Sequence, residues 1–172
     1  MFCVDDYVVY SNTGVCKVVA VGTLEGFEEG LIYYTLKPVT RPETVFIPVD
    51  ADVYVRKVIS REEALELVDR IPTIKEDTAT SGMDPRSLGE YYKKKMATHQ
   101  SDELIRMIKT IYSKGQRLAR NGKKLIKTDA DYKKKAEDIL YNELAIALDI
   151  PPGEIEDFIC TRLGTTAAME DA

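Results

Sequence analysis

A change of hydrophobic period near residue 58 limits what this chain can fold into more than any other feature. Before it, the apolar residues come in short, β-branched and aromatic runs broken by turn formers. YVVY (7–10) is followed by SNTG and a second run, VCKVVAV (15–21). TLEGFEEG (23–30), with Gly26 and Gly30, reads as a hairpin loop, and LIYYTLK (31–37) as the next strand. Pro38 and Pro42 break the chain, TVFI (44–47) stops at Pro48, and VYVRKV (53–58) closes the set. Short strands with frequent turns predict a small barrel or strongly bent sheet. There is no alternation of strand and helix signals, which argues against a nucleotide-binding α/β fold.

Beyond residue 58 the period is helical. Ser60 and Glu63 form a capping box, in which each side chain satisfies a free amide at a helix start. That helix carries Ala64, Leu65 and Val68 and ends at Pro72, and the polar stretch TIKEDTATSGMD (73–84) is the best candidate for a linker. Asp84 and Pro85 predict an N-cap and first-turn proline for a second helix through LGEYYKKKMA. A third begins at Ser101, with Leu104, Ile108, Ile111, Tyr112 and Leu118 on one face. Gly115 lies in that stripe, where a neighbour can approach closely, and Asn121-Gly122 ends it. A fourth starts around Thr128 to Asp131, with Ala136, Ile139, Leu140, Leu144 and Leu148 inward. Pro151-Pro152 opens a fifth, which ends at Leu163-Gly164, and the last eight residues are expected to fray. The expected fold is α+β. A small N-terminal β barrel spans 1–57, and a compact all-α bundle of about five helices spans 58–172.

Charge is distributed unevenly over this plan. The formal net charge is −5, yet residues 86–135 hold 15 basic and 5 acidic side chains. Residues 1–57 are net −3, 58–85 net −4 and 136–172 net −8. A basic block inside an acidic protein is a candidate footprint for a phosphate backbone, the alternative being solvated helix faces. The candidate contacts are Arg86, Lys93, Lys94, Lys95, Lys109, Arg117, Arg120, Lys123, Lys124 and Lys127. Tyr91, Tyr92 and Tyr132 interleave with lysines and either meet phosphates or cover core.

Signals for catalysis are weak. His99 is the only histidine, so a histidine triad or multi-histidine metal site within this chain is excluded, and a place near a helix end suits it better. Gly115 and Gly122 precede Lys123 at the wrong spacing for a phosphate-cradling loop, and no Ser or Thr follows to hold magnesium. Paired acids such as Glu28-Glu29 and Glu62-Glu63 fall on expected surfaces. No cofactor, metal or small-molecule substrate is expected. Cys3, Cys16 and Cys160 are odd in number and form no CxxC pair, which reads as free thiols, small core residues, in a reducing cytoplasm. The chain contains no apolar run of about 18 residues, and acids stand near its start where a signal peptide carries bases, so no membrane segment is expected.

The segment FCVDDYVVYSNTGVCKVVAV resembles the opening of the CarD/CdnL family of bacterial transcription regulators, through Val4, Asp6, Val8, Val9, Tyr10, Gly14 and Val15. The resemblance continues in YYTLKP (33–38), ETVFIPV (43–49) and AEDILYNELAIAL (136–148). It implies a Tudor-like, SH3-like domain shared with transcription-repair coupling factors, which docks on the RNA polymerase β subunit by pairing an edge strand. Leu24, Tyr34, Val45, Phe46 and Ile47 are the residues this places at the contact. It also implies a helical domain that binds promoter DNA, largely without sequence preference, and modulates the open complex. Two departures stand out. Family members place a tryptophan wedge near the start of the second helix, and this chain has none. Ser87 or Leu88 aligns there, and Leu88 is either an apolar wedge or helix core. Leu24 and Phe46 stand where some members use arginines, and Phe46 either fills a pocket on the partner or belongs to the barrel core.

Overall fold

A computed structural model describes residues 1–164, and the expected fraying of the last eight residues lies outside them. The chain divides into two compact units, Met1–Ile59 and Ser60 onward.

The first unit is an antiparallel sheet of β1 (Tyr7–Tyr10), β2 (Gly14–Gly22), β3 (Tyr33–Pro38), β4 (Val45–Pro48) and β5 (Val55–Lys57). Its order is β4-β3-β2-β1-β5, which leaves β4 and β5 at the two edges. Strand alternation puts Val8, Cys16, Val18, Tyr34, Leu36 and Ile47 on one face as the core. Val45 from one edge strand and Val55 from the other pack against that same cluster. The sheet therefore curls around its own inner face, which gives the expected barrel-like unit. A register shift between Val18 and Ala20 bends β2. Phe2 covers the inner face, its ring 5.4 Å from Tyr34 and its N–H donating to the Tyr34 hydroxyl at 3.1 Å.

The second unit contains α1 (Arg61–Arg70), α2 (Pro85–Ala97), α3 (Ser101–Arg120), α4 (Lys127–Leu148) and α5 (Ile155–Leu163). The Ser60–Glu63 capping box is present, and Asp84 accepts from the amides of Arg86 and Ser87. α4 packs against each of the other four helices. Its buried positions Ala136, Leu140, Leu144 and Leu148 follow the i, i+4 rule, as do Leu88, Tyr92 and Met96 of α2. His99 follows the end of α2 with φ 54°.

The segment 73–84 differs from expectation. It is a strap tied to α2 and α3 rather than a free linker. The Asp77 amide donates to the Thr110 hydroxyl at 2.8 Å, and Tyr91 donates to the Asp77 carboxylate. Ile74 is buried, and its carbonyl accepts from Lys109. The strap is held through its backbone at Ile74 and Asp77 and through the Asp77 carboxylate. None of the three cysteines is in a disulfide, but only Cys16 is buried; Cys3 is exposed and Cys160 half-buried. Burial pushes the Cys16 thiol up to about 11, which leaves it unreactive.

Candidate functional surfaces

On the β unit the candidate surface is the edge strand β4. Ile47 points inward and Val45 packs against the core, so alternation turns Phe46 outward, where it is 40% exposed. This decides between the two readings of Phe46: it is not barrel core. Tyr34 and Ile47 are corrected, because both side chains are buried in the core cluster and present no surface to a partner. Their part is to hold β4 in register, as Tyr34 pairs with Ile47 across the β3–β4 ladder. Leu24 is half-buried in the loop before β3, where its carbonyl accepts from the Phe27 amide at 3.4 Å.

That loop supplies the residue sequence reasoning missed. Phe27 lies over the outer face of the sheet, its ring 5.3 Å from Tyr33 and 5.4 Å from Phe46. The signal was an aromatic residue alone in a polar, glycine-bounded loop, a place where nothing local buries it.

On the helical unit the basic residues separate into two groups. Arg117 and Arg120 in the last turns of α3, Lys123 and Lys124 in the connection, and Lys127 at the start of α4 are all exposed. None of these five has an ionic partner among the described residues. The connection that carries them is fixed. The Lys123 amide donates to the Leu118 carbonyl at 2.8 Å and that of Gly122 to Ala119 at 3.0 Å. Gly115 lets Leu125 fold back on α3, since a methyl group there would stand 3.3 Å from Leu125 Cδ1. Lys93 and Lys94 are also exposed and have no ionic partner among the described residues, while Arg86 reaches Glu90 at 3.6 Å. Arg86 and Lys93 share a stripe with Gly89, which meets Thr128 and Tyr132 of α4. The outer side of α2 and the α3–α4 connection thus lie beside one another.

The other group is turned inward. Lys109 is corrected as a phosphate contact: it is 8% exposed, and its ammonium donates to the carbonyls of Ile71 at 3.0 Å and Ile74 at 2.7 Å. Burial pulls its pKa below the ordinary lysine value, with Glu76 opposing. Lys95 pairs with Glu103 at 3.4 Å and lies 5.4 Å from the centre of the Tyr91 ring. Leu88 is corrected as a wedge, because it has no exposed surface and belongs to the α2 core stripe. The three tyrosines follow the core reading. Tyr92 is buried and donates to Asp129 Oδ1 at 2.7 Å, Tyr132 packs on Tyr92 at 5.4 Å, and Tyr91 is held by Asp77.

Asp129 is fully buried at the start of α4, with Lys114 Nζ 2.6 Å from its Oδ2. Lys114, Asp129 and Tyr92 therefore join α3, α4 and α2 at the base of the exposed cationic group. Such an arrangement can hold phosphates at fixed positions.

No curated protein matches the chain. Residues 2–59 match the family model described as the CarD-like/TRCF RID domain, a span that coincides with the β unit. The strand pattern, the curled sheet and this match agree: residues 2–59 are a CarD-like, RNA polymerase-interacting domain.

Proposed function

We propose that the chain is a non-enzymatic transcription regulator that links RNA polymerase to promoter DNA. The observation that carries this reading is the match of the β unit to a polymerase-interacting domain. The β unit docks on the polymerase β subunit by adding a strand to the open edge of β4, with backbone amides supplying affinity and Phe46 filling an apolar pocket. The helical unit grips the DNA backbone through Arg117, Arg120, Lys123, Lys124 and Lys127, with Arg86, Lys93 and Lys94 beside them. In doing so it modulates the stability of the open complex. The exposure of these bases supports this assignment, as does the lack of an ionic partner among the described residues for all of them but Arg86, because a cation already paired releases little counterion on binding.

A second reading is a module that docks on polymerase without acting on DNA directly. The burial of Leu88 favours it, since no apolar wedge then stands at the position where the family uses one.

Binding of the full chain to duplex DNA across a range of salt separates the two. If about four to six phosphates are neutralised, log affinity falls with log salt at a slope of about −4 to −5, with little dependence on sequence. A flat response rejects the DNA half of the proposal and leaves the second reading.

A further inference from the structure

The loop before β3 gives the β4 edge a definite chemistry. Phe27 shields Tyr33, which is only 7% exposed, while Phe27 and Phe46 remain 46% and 40% exposed. Two neighbouring half-exposed rings beside an open strand edge form a clustered apolar patch, unlike the scattered apolar side chains common on any surface. The loop holding Phe27 is shaped by turns, with Gly26 at φ 80° and Gly30 at φ 85° and the Leu31 amide donating to the Glu28 carbonyl at 3.4 Å.

The charged residues of the loop that carries Phe27 are all acidic. Glu25, Glu28 and Glu29 are exposed, lie within two positions of Phe27, and have no ionic partner among the described residues. No base occurs from 22 to 36. The nearest base along β3 is Lys37, two positions beyond the Thr35 that pairs with Phe46 and on the side away from the Phe27 loop; it faces Lys17, which is taken by Asp5 at 2.9 Å. The opposite edge strand, β5, has the reverse character, carrying Arg56 and Lys57.

We infer that the β4 edge takes an extended protein segment in which an apolar side chain is flanked by lysine or arginine. This rests on the docking reading above and specifies the partner's side of it. The apolar side chain packs on Phe27 and Phe46 while the segment's backbone extends the sheet. Its bases meet Glu25, Glu28 and Glu29, and an arginine there can stack on a phenyl ring while it pairs with a carboxylate. The acidic rim also selects against segments with acidic flanks, and against the DNA phosphates that the helical unit attracts.

The test measures affinity of the full chain for DNA-free RNA polymerase at low and moderate salt. The triple substitution E25Q/E28Q/E29Q changes only exposed side chains. It is expected to lose about tenfold in affinity at low salt and to flatten the salt dependence. Phe46→Ala is expected to lose about tenfold at both salts, with the salt dependence kept. If the triple variant binds like the wild type at both salts while Phe46→Ala weakens binding, the basic-flank inference is overturned and edge docking stands. If the wild-type chain does not bind polymerase at either salt, the docking reading falls and this inference with it. Circular dichroism of each variant confirms that the sheet is retained.

Discussion

Asp129 is a carboxylate with no exposed surface, held between a lysine and a phenol from two other helices. Removing one member of such a group leaves the others buried and unsatisfied, which costs more than the net worth of the bonds. Asp129→Ala is expected to destabilise the helical unit by about 3 kcal/mol, the low end of the range for a broken buried pair, because Lys114 is partly solvated. Tyr92→Phe keeps the ring packing and loses about 1.5 kcal/mol. Both are read from the midpoint of urea unfolding with an unchanged slope. Asp77 gives a pH-dependent counterpart. Burial alone raises its pKa, but the Tyr91 hydroxyl, the Ala79 amide, Lys95 and Arg106 outweigh that and hold it below the usual carboxylate range. The unfolded chain then takes up this proton first. The contribution of Asp77 is present above about pH 4 and lost as pH falls through its lowered folded value. Asp77→Asn should flatten the acid limb of the stability curve below pH 4, and an acid limb identical to wild type would refute the assignment. On the alkaline side Tyr91, pushed up to about 12 by burial and then Asp77, holds its contribution to about pH 10 and loses it as pH rises through 12. At this scale the sequence was a partial guide. The sequence left Leu88 open between wedge and core, and the i, i+4 stripe Leu88, Tyr92, Met96 is the local signal that favours core. Nothing local marked Lys109 as buried, because its acceptors, the carbonyls of Ile71 and Ile74, lie 38 and 35 residues away.

Elements were the most legible level. All five strands and all five helices among the described residues lie within a few positions of where the periods place them, because period and turn chemistry are local properties. The strap at 73–84 was not legible, since its polar composition suits a linker equally well and only bonds to distant helices distinguish the two. In the proposed reading the α3–α4 connection is the element on which DNA binding depends. Changing Lys123, Lys124 and Lys127 to Gln should reduce the salt slope by about 2 to 3, roughly 0.9 for each phosphate no longer neutralised. Lys95→Gln, at a cation already paired with Glu103, should leave the slope unchanged. Gly122→Ala, at φ 68°, should cost about 1 kcal/mol by opposing the left-handed backbone that ends α3. It should weaken DNA binding less than the three glutamines do.

For the whole molecule, the net positive charge is confined to one part of the helical unit, residues 86–135, with acidic segments on both sides of it in sequence. The β unit has an acidic rim at one edge, while the exposed cations of the α3–α4 connection have no ionic partner among the described residues. This is how a chain of net charge −5 can present a surface suited to phosphates. The β unit was legible as a family likeness because its strands carry the shared pattern. The partner chemistry of its edge was not, because Phe27 reaches Phe46 only after β3 and β4 have paired. The central claim is that one chain holds polymerase with one unit and DNA with the other. Its most direct test is the lifetime of a polymerase–promoter complex challenged with competitor DNA, with wild-type chain, Phe46→Ala, or the Lys123, Lys124 and Lys127 to Gln variant added. The wild type should change that lifetime severalfold, and each variant alone should return it toward the value without the chain, because either broken grip ends the link. A glutamine variant that alters the lifetime as strongly as wild type would contradict the claim.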